Sequence, residues 1–237
     1  MRRCLLSLLY VIPLFSISQN ILIKDIDSLY REDQIYFGFS YNSLTDVPEA
    51  FAQTNFSPGF KIGAIRDFPI NCKRNIALGF GLGYALNIYA QNLKISTDIN
   101  NLFNYELQSD QNYKKNRFSF HAIEIPFEFR WRTSNVQTHK FWRIYTGFKA
   151  SYIFSSSAFY KSENQTITEK DLELRSWQYG LTLSAGYNNW NAFIYYGLNP
   201  IFDDIAVNQS VLEIKTIKVG LISVSYTHLT LPTRDDV

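Results

Sequence analysis

Glu124, Glu128, Arg130 and Arg132 are all even-numbered, so on a β-strand they project from one face. Arg143 and Lys149 follow in the next alternating segment, across a short connection. Acids and bases gathered on one face can either exchange protons with a substrate or neutralise one another. If these strands enclose a narrow lumen packed with side chains, an unpaired ion there costs several kcal/mol. The expectation is therefore an internal charge network of Glu124, Glu128, Arg130, Arg132, Arg143 and Lys149 that fixes strand register. A second set, Ser119, His121 and Glu124, has the residue types of a lipid deacylase. Ser119 and His121 share a parity, but Glu124 falls on the opposite face unless a bulge intervenes. Nothing nearby marks an oxyanion hole, so a polar rim pair is expected. His139 lies in a short turn and His228 near the end of the chain, and neither has a partner set for a metal. No catalytic residue, cofactor or metal site is expected.

The elements that would position these groups alternate with a period of two. Residues 76–89, IALGFGLGYALNIY, carry large apolar groups at even positions and small or polar ones at odd positions. The segment is long enough to cross a bilayer, which takes roughly nine to eleven tilted residues. Its second face is glycine and alanine without charge, which suits a barrel greasy outside and crowded inside. The glycines of GFGLG (79–83) lie within this strand and no helix follows, so they suit close packing, not phosphate binding. Similar alternation marks 34–41, 60–66, 123–132, 142–154 and 177–187, with two segments of less defined facing at 192–199 and 214–226. The prediction is all-β: an eight-stranded antiparallel transmembrane β-barrel, an up-and-down meander over 34–226.

Connections alternate in length. Those at 67–75, 133–140 and 188–191 are short; those at 42–59, 91–116, 155–173 and 200–213 are long and polar. Outer-membrane barrels keep short turns in the periplasm and long loops outside. Trp131, Trp142 and Trp190 lie beside short turns and are expected to form an aromatic girdle at the periplasmic interface, with Trp177 near the other rim. Residues 1–18 read as an export signal to be cleaved: Arg2 and Arg3, then an apolar run from Cys4 to Phe15, then small residues. Removing those two arginines takes the formal charge from +2 to 0, which leaves no basic footprint for nucleic acid. Cys72 then stands alone and is expected to be a free thiol. Residues 19–33 read as a periplasmic lead-in. The expected location is the outer membrane, with its lipid as a partner.

Two stretches are more specific than barrel chemistry. RDFPINCKRN (66–75) runs into the glycine-rich strand, and IEIPFEFRWRTS (123–134) is followed by KFWRIYTGFK (140–149). They resemble the PorT-like family of outer-membrane β-barrels of Bacteroidetes. The resemblance extends to YREDQIYFGFSYN (30–42), NLKIS (92–96) and YNNWNAFIYYGLNPIF (187–202). Matching residues are Arg66, Asp67, Pro69, Asn71, Arg74 and Asn75 in the periplasmic turn motif, then Glu124, Pro126, Glu128, Arg130, Trp131, Arg132, Trp142, Arg143, Gly147 and Lys149. The resemblance implies an eight-stranded barrel that takes part in type IX secretion and gliding motility, with no enzymatic activity. One region departs from the family pattern. KVGLISVSY (218–226) gives way to THLTLPTRDDV, whose Pro232, Asp235 and Asp236 do not suit a terminal strand. Residues after about Val224 are expected to be a non-native ending, with 227–237 an unstructured tail, which leaves the partner of the first strand open.

The leading expectation is thus a non-enzymatic barrel that supports protein export and meets other secretion components through periplasmic turns rich in binding groups, among them Lys73, Thr133, Ser134, His139 and Lys140. The alternatives are a structural or adhesive barrel with ligand-binding outer loops, and a lipid-modifying barrel enzyme. A diffusion pore is disfavoured because eight strands leave little open lumen.

Overall fold

The computed structural model describes residues 33–100, 102–108, 113–133, 142–207 and 210–226. The expected export signal, the lead-in up to residue 32, the tail at 227–237, and Ser134, His139, Lys140 and His228 lie outside the described residues.

Eight strands close into one antiparallel barrel: β1 (Gln34–Thr45), β2 (Pro58–Pro69), β3 (Ile76–Ala90), β4 (Tyr113–Arg132), β5 (Trp142–Ser162), β6 (Trp177–Tyr187), β7 (Trp190–Gly197) and β8 (Lys215–Tyr226). Each strand pairs with the next in sequence, and β1 pairs with β8 from Gln34↔Tyr226 to Thr45↔Lys215. The first strand therefore has a full-length partner, and the closing strand is present through Tyr226.

Alternation sets which face each residue shows. Ile35, Phe37, Phe39, Phe60, Ile62, Phe80, Leu82, Phe127 and Phe129 all point outward and are exposed. So large a continuous apolar belt is not compatible with a water-facing monomer and fits a lipid-facing wall. Inward positions of β3 from Ala77 to Ala85 are small, and at the glycines the reason is steric. A Cβ on Gly79 would lie 2.5 Å from Arg130 Nε, and one on Gly83 would collide with the Tyr36 hydroxyl.

Two strands outrun the sequence-based prediction. β4 begins at Tyr113, not Ile123, and β5 continues to Ser162. The regions expected as polar loops, 91–116 and 155–173, hold the start of the first extension and all of the second. They also hold a hairpin of Leu93–Thr97 with Phe103–Leu107, and a short strand Thr166–Lys170 on β5. Along β4 the polarity reverses. From Ile123 to Trp131 the outward residues are apolar, whereas above it the inward Phe118, Phe120 and Ala122 are buried and apolar. β5 keeps pace through a register shift opposite His121/Ala122. That shift turns the inward parity from odd (Ile153) to even (Ser156).

The long-loop end is filled by an apolar cluster that includes Tyr89, Leu93, Ile95, Phe118, Phe202 and Leu212. Tyr89 stacks on Phe118 at 4.9 Å between ring centroids, and Phe202 meets Phe118 edge-on at 5.4 Å. The Tyr89 hydroxyl hydrogen-bonds Thr216 Oγ1 at 2.9 Å, which satisfies the one polar atom of the stack.

Candidate functional site

The lumen at the short-turn end is held by ions. Asp67 is fully buried, with Oδ1 3.2 Å from Arg130 Nη1 and Oδ2 2.9 Å from Arg132 Nη1. Arg130 also donates from Nε to Glu128 Oε2 at 3.0 Å and from Nη2 to Gln34 Oε1 at 3.2 Å. Its guanidinium lies 4.7 Å from the centre of the Tyr145 ring, whose hydroxyl accepts from Gln34 Nε2. Arg132 Nε donates to the carbonyl of Arg74 at 3.0 Å. Planar guanidinium forks suit this: each reaches a carboxylate and a second acceptor at once.

The turn beneath is shaped to meet them. Arg74 adopts a left-handed φ of 55°, and the Asn71 side chain donates to Asn75 Oδ1 while accepting from the Ile76 amide. Asn75 offers its carbonyl to the Arg132 amide. The Asp67 amide donates to Asp33 Oδ1 at 3.0 Å. Strands β1, β2, β4 and β5 and the β2–β3 turn thus share one bonded network. Asp67 was expected in the turn surface. It instead ends β2 facing inward, because residues 65 and 67 share the lumen parity, and it is the common carboxylate of two arginines. Arg66, by the same alternation, points outward. Asn71, Arg74 and Asn75 remain in or beside the turn, and Pro69 is the last residue of β2.

Mid-lumen, Lys149 Nζ donates to Glu124 Oε1 at 2.6 Å and sits 4.6 Å from the Tyr195 ring centre. Two lysines that sequence reasoning passed over join it. Lys218 donates to Asn87 Oδ1 at 2.6 Å, and Lys61 lies 3.3 Å over the Phe193 ring. Lys61 was legible from its parity, opposite to Phe60 and Ile62; Lys218 was not, since its strand had no assigned facing. Arg143 is buried in register with Arg132. A small internal cavity of about 40 Å³ remains, lined by Tyr36, Lys61, Glu124, Glu128, Tyr145 and Phe193 among others.

The deacylase set does not assemble. Ser119 hydrogen-bonds Ser157 at 3.1 Å and His121 Nδ1 lies 2.6 Å from the Tyr84 hydroxyl, both on the outward face, while Glu124 points inward to Lys149. Trp131, Trp142 and Trp190 point outward and are exposed at the short-turn end; Trp177 begins β6 at the other. Cys72 is exposed and free. Among the described residues no group of three His, Cys, Asp or Glu is placed to hold a metal. What the site can do is structural: it cross-braces four strands and fills the lumen at one end.

The family described as outer membrane protein beta-barrel domain matches residues 18–203. No curated protein matches. Among solved structures, Ail, the attachment invasion locus protein of Yersinia pestis, aligns over 83% of this chain and 100% of its own, at 9% identity and a TM-score of 0.35. A structure from work on asymmetric conductivity of engineered proteins aligns over 83% and 100%, at 7% identity and a TM-score of 0.22.

Proposed function

The chain belongs to the outer membrane protein β-barrel domain family, and on that footing we propose that it supports protein export in a type IX secretion system, without enzymatic activity of its own. The observation that carries this reading is the junction of the two PorT-like motifs. Asp67 and the turn of RDFPINCKRN are bonded to Arg130 and Arg132 of IEIPFEFRWRTS, 63 and 65 residues away. Residues that could have matched the family pattern as scattered strand chemistry instead form one unit at the end of the barrel that the short-turn rule places in the periplasm. A braced turn is a preorganised surface for a protein partner. Exposed groups on it would meet other secretion components, as a set of periplasmic contacts. A deletion strain scored for secreted protein and surface motility tests the role: both are lost if the reading holds, and normal secretion refutes it. Crosslinking from Cys72 in the wild-type turn tests the surface, and recovery of lipid alone would remove the partner from the proposal.

A structural or adhesive barrel is the second reading. It is favoured by the outer loops, which carry an apolar core and a hairpin where plain solvated loops were expected. Replacing residues 94–106 with a short glycine–serine linker separates the two: secretion survives in the first reading, and surface attachment is lost in the second.

A further inference from the structure

Above the lipid-facing belt, the outward face of β4, β5 and the short strand Thr166–Lys170 forms a grid of three rows. Lys115 pairs with Lys161 and Thr166; Arg117 pairs with Phe159 and Thr168; Ser119 pairs with Ser157 and Lys170. Lys115 Nζ and the Arg117 guanidinium converge on the Phe159 ring, 5.9 and 5.7 Å from its centre. Among the described residues none of these four cations has an ion-pair partner. The described acids nearest in sequence are engaged elsewhere or lie off the grid. Glu163 pairs with Lys114, Glu169 accepts from the Thr97 amide on the other face, and Asp171 lies past the end of the short strand. Four like charges on adjacent strands repel, so their grouping without a carboxylate among the described residues points to an anion supplied from outside.

The position narrows that anion. The face looks sideways from the barrel axis, toward whatever surrounds the wall. Three residues along β5 beyond Phe154, the last exposed large apolar side chain of that strand, its lowest row also lies four residues along β4 above the row of Ile123 and Tyr152. At about 3.3 Å per residue on tilted strands, the grid stands roughly 10 to 20 Å above that row. The headgroup layer of a simple phospholipid reaches only about 5 to 7 Å beyond the hydrocarbon. From charge, direction and height, we propose that this grid binds the anionic head sugars of an outer-leaflet glycolipid, with Lys115, Arg117, Lys161 and Lys170 on phosphate or acidic-sugar groups and Ser119 and Ser157 on sugar hydroxyls. The site rests on the outer-membrane placement alone and is independent of any secretion role.

The test uses the full chain in detergent, with binding read by native mass spectrometry against three probes: lipopolysaccharide bearing its core sugars, the same lipid stripped to lipid A, and phosphatidylethanolamine. The core-bearing lipid is expected to bind at least about tenfold more tightly than the other two, and the preference falls as salt rises. The variant carrying Lys115→Gln, Arg117→Gln, Lys161→Gln and Lys170→Gln loses the preference, while Lys114→Gln, on the same strand but already paired with Glu163, keeps it. Heat-modified gel migration reports whether each variant is folded, and the salt series on the wild type stands even if the fourfold variant fails to fold. Equal binding of core-bearing and core-stripped lipid, a salt-independent preference, or a folded fourfold variant that retains it overturns the proposal. So does equally tight binding of a soluble acidic polysaccharide, which would make the face a receptor for polymer in solution.

Discussion

At the short-turn end the lumen is filled by Asp67, Glu128, Arg130 and Arg132, joined at 2.9 to 3.2 Å; at the long-loop end it is filled by Tyr89, Phe118, Phe202 and their aliphatic neighbours, joined by ring contacts. The first closure concentrates its free energy in one carboxylate shared by two guanidiniums. The second spreads it over many weak contacts. Ionic closure is therefore specific and brittle, because loss of one partner strands buried charge. Apolar closure is tolerant, because each side chain removed costs only its own contacts and cavity.

Substitutions sharpen that contrast. Asp67→Ala leaves Arg130 and Arg132 without their common carboxylate and is expected to cost about 3–5 kcal/mol in urea unfolding followed by tryptophan fluorescence. Adding Arg132→Met should recover part of it; a double variant no better than the single would show that the pair does not share the anion. Phe118→Ala, in the apolar plug, is expected to cost about 3 kcal/mol by the same measurement, with no rescue from any single second site. A Phe118→Ala loss well above that of Asp67→Ala would invert the comparison. Gly79→Ala should cost about 1–3 kcal/mol, since the new methyl must displace the Arg130 guanidinium. Lys94→Gln, at the half-exposed Lys94–Glu106 pair of the outer hairpin, should cost less than about 1 kcal/mol, and the effect should vanish in high salt. The smallest effect is acid loosening of the hairpin tip. The backbone amide of Leu102, then the Asn100 groups, hold the Asp98 carboxyl below its ordinary range. That contribution is complete above the ordinary aspartate range and is lost as pH falls through the lowered value. Amide exchange at residues 98–102 should rise only in strong acid.

The strand count and order, and the facing of six of the eight strands, were legible because a membrane wall writes period two in large and small residues, as in β3. The ten residues Tyr113–Ala122 were not, for a physical reason: outside the bilayer the pattern reverses. YKKNRFSFHA puts phenylalanines inward and cations outward, as a soluble sheet does; beside membrane strands its first four residues read as loop and the rest as no membrane strand. Within the charge network Glu124, Glu128, Arg130 and Arg132 declared themselves by shared parity. Asp67 did not. It sits between Arg66 and Pro69 in a stretch with turn chemistry, and only the β2–β3–β4 register brings it beneath arginines more than sixty residues on. Local pattern reports facing; it does not report which distant strand lies alongside.

The β1–β8 seam has a consequence for how the chain is made. Its twelve residue pairs join the two ends of the barrel sequence, so neither edge can be satisfied until every other strand has been laid down. Loop closure over such a separation makes the seam the late, slow event of assembly. Until it forms, Gln34–Thr45 and Lys215–Tyr226 are both open edges able to pair with another chain. A chain truncated before Lys215 would therefore fail by joining its neighbours edge to edge, forming oligomers in place of a loosened monomer.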